Sequence, residues 1–120
     1  LVDLGAGDGR VCTLAAKHFG YTSLGIELNP VLVGLSWYKA WRAGNVDITG
    51  KGISPTSPVV RHVSFQMQDF WAVPLSTFNV ITVFGVRSIM ERLESKLTAE
   101  AGQQEIYVVC YRFPLPTKQP

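Results

Sequence analysis

Leu1-Val2-Asp3-Leu4-Gly5-Ala6-Gly7-Asp8-Gly9-Arg10 is the stretch from which the fold of this chain is read. Three apolar residues and one acid form the end of a buried strand. Gly5, Gly7 and Gly9 then let the backbone turn tightly and approach a ligand where a side chain would clash. Beyond the loop, Val11, Leu14, Ala15 and His18 recur at helical spacing, so the glycines lead into a helix N-terminus with its unpaired amide donors. Strand, glycine loop and helix in this order predict a nucleotide-type site.

The charge of the loop narrows the ligand. A dinucleotide site places a pyrophosphate on the helix N-terminus and uses the spacing G-x-G-x-x-G, but here the third glycine comes one residue early and Arg10 holds the required position. Asp3 and Asp8 bracket the loop, and a carboxylate beside a pyrophosphate adds repulsion of roughly 1 kcal/mol for a partly screened pair. Acids there suit a cationic ligand. S-adenosylmethionine fits, with a sulfonium, an amino group and a single carboxylate for backbone amides to meet. The plain alternative is a tight turn with solvated acids.

A chain of 120 residues with 47% hydrophobic and 17% charged content is one globular domain at most. Its 11 basic and 9 acidic side chains are scattered, which gives nucleic acid no basic face to bind. Cys12 and Cys110 fall in predicted helix and strand interiors and read as small buried hydrophobes. His18 and His62 add no ligand cluster, so no metal site is expected. Leu1 stands in mid-strand and the chain ends in a proline-rich run, so residues 1–120 read as a piece of a longer domain.

In chain order, a first helix covers 10–19 and ends at Gly20 as a left-handed cap. A strand over 21–27 delivers Glu27 where the second strand of a βαβ unit faces a ribose and accepts from its hydroxyls. Asn29 and Pro30 form an N-cap and first-turn pair for a helix over 30–43. Val31, Leu35, Tyr38 and Trp41 or Arg42 line one stripe of that helix, read as its core face. The stretch 45–58 reads as a long, inserted surface loop. A third strand over 59–66 precedes Gln68-Asp69-Phe70-Trp71, where Asp69 can accept from an adenine amino group and Phe70 can cover the ring. The alternative there is Asp69 capping a turn and Trp71 in the core. Asn79 to Phe84 is a central strand lying beside the first. Ser88 and Glu91 form a capping box for a helix over 88–100, and 105–111 is a fifth strand. The alternation predicts an α/β, Rossmann-like parallel sheet with helices on both faces and a ligand cleft at the strands' carboxyl ends.

Val2 to Arg10, Glu27-Leu-Asn-Pro30, Ala40-Trp-Arg-Ala-Gly44, Gln68 to Trp71, Val83-Phe-Gly-Val86 and Arg112-Phe-Pro-Leu-Pro116 together resemble the mitochondrial protein-lysine methyltransferases that modify the ATP synthase c subunit and the adenine nucleotide translocase. The likeness spans nearly the whole chain. Phe-Gly-Val leans to the c-subunit branch and Arg-Phe-Pro-Leu-Pro to the translocase branch. The resemblance implies a class I methyltransferase fold and S-adenosylmethionine as cofactor. It also implies that Asp3, Gly5 and Gly7 hold the methionine end, Glu27 the ribose, and Asp69 with Phe70 the adenine. The implied substrate is a lysine of a membrane protein, and the implied location is a mitochondrial membrane, reached through an anchor upstream of this region.

Three positions depart from the family pattern: Val31 stands for tryptophan, Phe70 for leucine and Arg87 for proline. Such a sheet has seven strands in the class, of which five are expected here. Direct attack of a lysine amine on a methyl group needs no enzyme nucleophile, so no catalytic side chain is nominated. Arg112, Phe113 and Pro114 are placed on the substrate-facing wall, with a rigid chain exit as the alternative. The competing functions are a cofactor-binding module without activity and an NAD-dependent enzyme.

Overall fold

A computed structural model describes residues 1–43 and 63–117. The expected insertion at 45–58 and the first residues of the expected third strand lie outside the described residues.

Five strands, β1 (Val2–Leu4), β2 (Ser23–Glu27), β3 (Val63–Met67), β4 (Val80–Val83) and β5 (Tyr107–Cys110), form one sheet in the order β3-β2-β1-β4-β5. All four pairings are parallel, as predicted. The strands are shorter than their apolar runs suggest, because pairing covers only the register they share. The helices are α1 (Arg10–Phe19), α2 (Pro30–Arg42) and α3 (Arg87–Glu100).

Alternation along the strands separates two faces. Val2, Leu4, Ile26, Ile81 and Val83 meet Met90, Leu93 and Leu97 of α3 in the larger apolar core. On the opposite face Asp3, Gly25 and Thr82 lie in register, with Phe65 beside Gly25. A smaller cluster of Cys12, Ala16, Ala40, Val63 and Phe65 joins α1 and α2 to that face. This second face carries the polar residues of the site.

Two helix ends follow the local chemistry read from the sequence. Gly20 is left-handed at φ 70°, with its N–H on the Ala16 carbonyl (3.2 Å) and that of Tyr21 on Ala15 (3.3 Å). Asn29 caps α2 through Oδ1, which accepts from Val31 N–H at 3.0 Å. The start of α3 corrects the sequence reading. Val86 is its N-cap, and its carbonyl accepts from the Ile89 and Met90 amides at 3.0 and 3.1 Å. Ser88 is therefore already inside the helix, and the Ser88–Glu91 capping box does not form.

The buried faces of α1 and α2 also differ from expectation. In α1, Cys12, Ala15 and Ala16 are buried while Val11 and Leu14 are exposed. In α2 the stripe read as core faces outward, with Val31 75% and Trp41 51% exposed; the buried residues are Ser36 and Ala40. The cause is the close approach of this helix to the sheet, which only small side chains permit. Apolarity marks residues that can be buried, not residues that are.

Candidate functional site

The parallel register brings the carboxyl ends of all five strands to one edge, and the glycine loop Gly5–Gly9 leaves β1 at its centre. Gly5 and Gly7 have φ of +77° and +58°, which glycine adopts at little cost. A Cβ built on either meets nothing within 4 Å, so the loop presents bare backbone to open space. Gly9 is the reverse: its Cβ would come within 2.6 Å of the Phe65 ring and 2.9 Å of Ser36 Cβ. The loop is therefore open on one side and packed tightly on the other.

Asp3 lies directly behind this loop at 6% exposure. Its Oδ1 accepts the Thr82 hydroxyl at 2.7 Å, across the β1–β4 pairing. Burial pushes its carboxyl above the ordinary value; the Thr82 bond acts against the rise and the charge of Glu27 adds to it. A buried acid whose anion is destabilised by desolvation and by a second acid gains most from a cation placed beside it. Glu27, at the end of β2, accepts from Gly7 N–H through Oε1 (3.1 Å) and from Asn29 N–H through Oε2 (2.9 Å). These bonds fix the carboxylate at the loop. Leu28, the next residue, is exposed, and its apolar side chain at this edge was not singled out by sequence reasoning.

The structure corrects the reading of Asp8. Its carboxylate is taken up within the protein, pairing with Lys39 Nζ of α2 at 2.7 Å and lying 3.6 Å from Arg10. The Lys39 hydrogen bond holds its carboxyl below the ordinary value. The amides expected to be free are also engaged: Gly5 and Ala6 donate to the Ile26 carbonyl (2.8 and 2.9 Å), Gly9 to Ala6 (3.0 Å) and Arg10 to Asp8 Oδ1 (3.3 Å). These four amides are therefore not available to an anionic group, whether a pyrophosphate or the carboxylate of S-adenosylmethionine.

Asp69 and Phe70 follow β3, the strand beyond β2, at the same edge. Asp69 Oδ1 accepts from Trp71 N–H at 3.1 Å and caps a short 3-10 turn over Phe70–Ala72. The Phe70 ring sits 4.5 Å from that of Trp71, and both pack against the larger core. The turn-capping alternative is thus present in the structure, with Asp69 exposed and Phe70 half-buried. Trp71 is covered by Arg92, whose guanidinium carbon lies 4.1 Å from the ring centre.

Arg87 at the start of α3 and Arg112 after β5 both stand 5.4 Å from the centre of the Phe113 ring. Phe113 is half-buried against the core, so of the expected wall Arg112 and Pro114 face outward and Phe113 serves as their support. Beside them, Phe84 and Tyr111 are exposed in neighbouring strand exits, with rings 5.6 Å apart. A cavity of about 770 Å³ lies between α3 and β5, lined by Leu97, Ile106 and Val108 together with Arg112, Phe113 and Pro114 of the expected wall. It gathers no paired carboxylates and lies away from the loop, so its size does not make it the site.

The chemistry available for a metal is absent among the described residues, where no three His, Cys, Asp or Glu side chains cluster. Cys12 is buried and its thiol is pushed up to about 12, which keeps it neutral and unreactive. For S-adenosylmethionine the donor set is suitable: a buried carboxylate for a cation, a second for hydroxyl donors, and open space over Gly5 and Gly7. Thr82 and Ser36 were missed by sequence reasoning. Thr82 was legible as a lone hydroxyl in the apolar run Val80-Ile-Thr-Val83, in register with Asp3.

Residues 3–120 match the model of the ANTKMT methyltransferase domain. The chain is 40% identical over 116 residues to the lysine N-methyltransferase of the ATP synthase c subunit from Homo sapiens, covering 97% of this chain and 43% of that protein. It is 42% identical over 123 residues to the adenine nucleotide translocase lysine N-methyltransferase of Mus musculus, covering 100% of this chain and 46% of that one. The chain thus spans about half the length of the curated relatives it matches. Among solved structures it resembles an RNA methyltransferase from Salinibacter ruber in complex with S-adenosyl-L-homocysteine. The TM-score is 0.77 at 27% identity, over 99% of this chain and 68% of the other.

Proposed function

This chain belongs to the ANTKMT methyltransferase domain family, and from that membership we propose that its protein is an S-adenosylmethionine-dependent protein-lysine N-methyltransferase. Its substrate is a mitochondrial membrane protein, of the ATP synthase c-subunit or adenine nucleotide translocase type, by analogy with relatives of both names. The protein acts at the mitochondrial membrane that holds this substrate. The observation that carries the proposal is the pair of carboxylates, Asp3 buried behind the glycine loop and Glu27 tied to Gly7, below an opening that no side chain fills.

In this reading Asp3 compensates the positive end of the cofactor and Gly5 and Gly7 give it room. Glu27 accepts the ribose hydroxyls, while Asp69 and Phe70 bound the adenine. When bound, S-adenosylmethionine supplies an electrophilic methyl group on a sulfonium. The chain's own task is alignment, since holding an amine in line with that methyl replaces a bimolecular encounter. The lysine must arrive neutral although its ordinary pKa is about 10.4, and burial of its ammonium among apolar groups favours loss of the proton. Phe84, Tyr111 and the Phe113 wall are the apolar groups at the strand exits that can desolvate it.

The test is methyl transfer by the full-length protein. Incubation with S-adenosylmethionine and the purified ATP synthase c protein or translocase, read by peptide mass spectrometry, is expected to add methyl groups to one lysine. Lysine-to-arginine replacement there should abolish the signal. A protein that binds the cofactor and methylates neither substrate would instead be the inactive binding module.

A further inference from the structure

Resting on the cofactor assignment above, we propose that Ser36 is a positioning residue for the glycine loop, whose buried hydroxyl holds the Gly7 carbonyl and so raises cofactor affinity without touching the cofactor. Ser36 lies midway along α2 and is 1% exposed. Its Oγ stands 2.9 Å from the Gly7 carbonyl oxygen and 2.8 Å from that of Leu32. A hydroxyl carries one hydrogen. The bond to Leu32 is the local one that any helical serine can make to the residue four back, whereas the bond to Gly7 spans 29 positions and joins two elements.

Two further contacts show that the same helix face grips the loop. Lys39, three residues on, pairs with Asp8 at 2.7 Å, and Ser36 Cβ crowds Gly9 so closely that no larger residue fits there. Gly7, Asp8 and Gly9 are therefore held in succession by α2. The contact to Gly7 differs from the others in what opposes it. Glu27 takes the Gly7 N–H while Ser36 takes the Gly7 carbonyl, so the residue is fastened from both sides. Glu27 is also the ribose acceptor in this reading, and hydroxyl donors compete with the Gly7 amide for its oxygens. For the Ser36 hydrogen the competitor is the Leu32 carbonyl of the same helix, and no group of the ligand. The Ser36 tether keeps Gly7 in its left-handed turn when the hold of Glu27 is shared, and the tether therefore counts most in the bound state.

The experiment is calorimetric titration of S-adenosylhomocysteine into the full-length protein and three variants, with melting temperatures recorded in parallel. Ser36→Ala should weaken binding by about three- to tenfold, the range for one net hydrogen bond. Ser36→Cys, of near-native volume but a weak donor, should weaken it in the same direction by less. Ser95→Ala, which removes a hydroxyl on α3 bonded to the Glu91 carbonyl four residues back, should leave binding unchanged. The kcat at saturating cofactor should stay at the wild-type value while the cofactor KM rises.

A folded Ser36→Ala protein with wild-type affinity, or one that loses melting temperature alone, overturns the proposal. If Ser36→Ala does not fold, the cysteine variant decides on the same criterion. A wild-type protein that binds no S-adenosylhomocysteine at all contradicts the methyltransferase assignment itself, a different outcome from equal binding by wild type and variant.

Discussion

Asp3 couples the site to pH. Its carboxyl titrates above the ordinary value of 3.8 because it is buried, so the folded protein holds this proton to higher pH than the unfolded chain does. The resulting contribution to stability is present at low pH and is lost as pH rises through the raised value. In the role proposed for Asp3, cofactor binding runs the other way, since a cation is stabilised only by the ionised form. Affinity for S-adenosylmethionine should therefore tighten as pH rises from the ordinary carboxylate range through the raised value, and Asp3→Asn should weaken it about ten- to hundredfold where Asp3 is ionised and flatten the dependence. Titration calorimetry across that range checks both. The glycines give a second contrast. Gly25→Ala drives a Cβ to 2.5 Å from the Phe65 ring and 2.9 Å from Ala6 Cβ, and should cost about 1–3 kcal/mol in denaturant unfolding. Gly7→Ala meets nothing, so its cost to stability is the strain of its left-handed φ, about 1–2 kcal/mol, while cofactor affinity should fall further because the Cβ enters the opening.

At the scale of elements, what could be read in advance was local chemistry. Gly20 and Asn29-Pro30 fixed the end of α1 and the start of α2 because their backbone and side-chain preferences act within a few residues. What could not be read was which side of a helix the sheet would take. Val31, Leu35, Tyr38 and Trp41 form a better apolar stripe than Ser36 and Ala40, yet the small pair is buried because α2 closes on Gly9 and Phe65. The site was divided in the same way. Glu27 and the glycines lie at predictable points of a βαβ unit, whereas Thr82 reaches Asp3, and Ser36 and Lys39 reach the loop, from elements distant in the chain. Replacing Val31 and Trp41 by serine should leave stability within about 0.5 kcal/mol, as for exposed positions in general. Leu93→Ala, removing a fully buried side chain of α3, should cost about 2–5 kcal/mol in the same assay.

For the molecule as a whole, the sheet order places β1 at the centre between β2 and β4, with Asp3 and Glu27 on one face and the main core on the other. The continuous apolar run of β4 made its interior position legible, since a strand covered on both faces has no solvated side to alternate with. Ile81, fully buried there, and Val109, exposed on β5, mark the two extremes; truncating Ile81 to alanine should destabilise strongly and Val109 hardly at all. No helix among the described residues is long and apolar enough to cross a membrane.

A strand, a glycine loop and two carboxylates make a site for a cationic nucleoside if the roles given to Asp3 and Glu27 hold. Calorimetric titration of the full-length protein with S-adenosylmethionine and, separately, with NAD, alongside Glu27→Ala, decides this. S-adenosylmethionine should bind in the micromolar range, at least tenfold more weakly in Glu27→Ala, and NAD should give no heat. Preference for NAD, or wild-type affinity in a folded Glu27→Ala protein, would contradict the assignment.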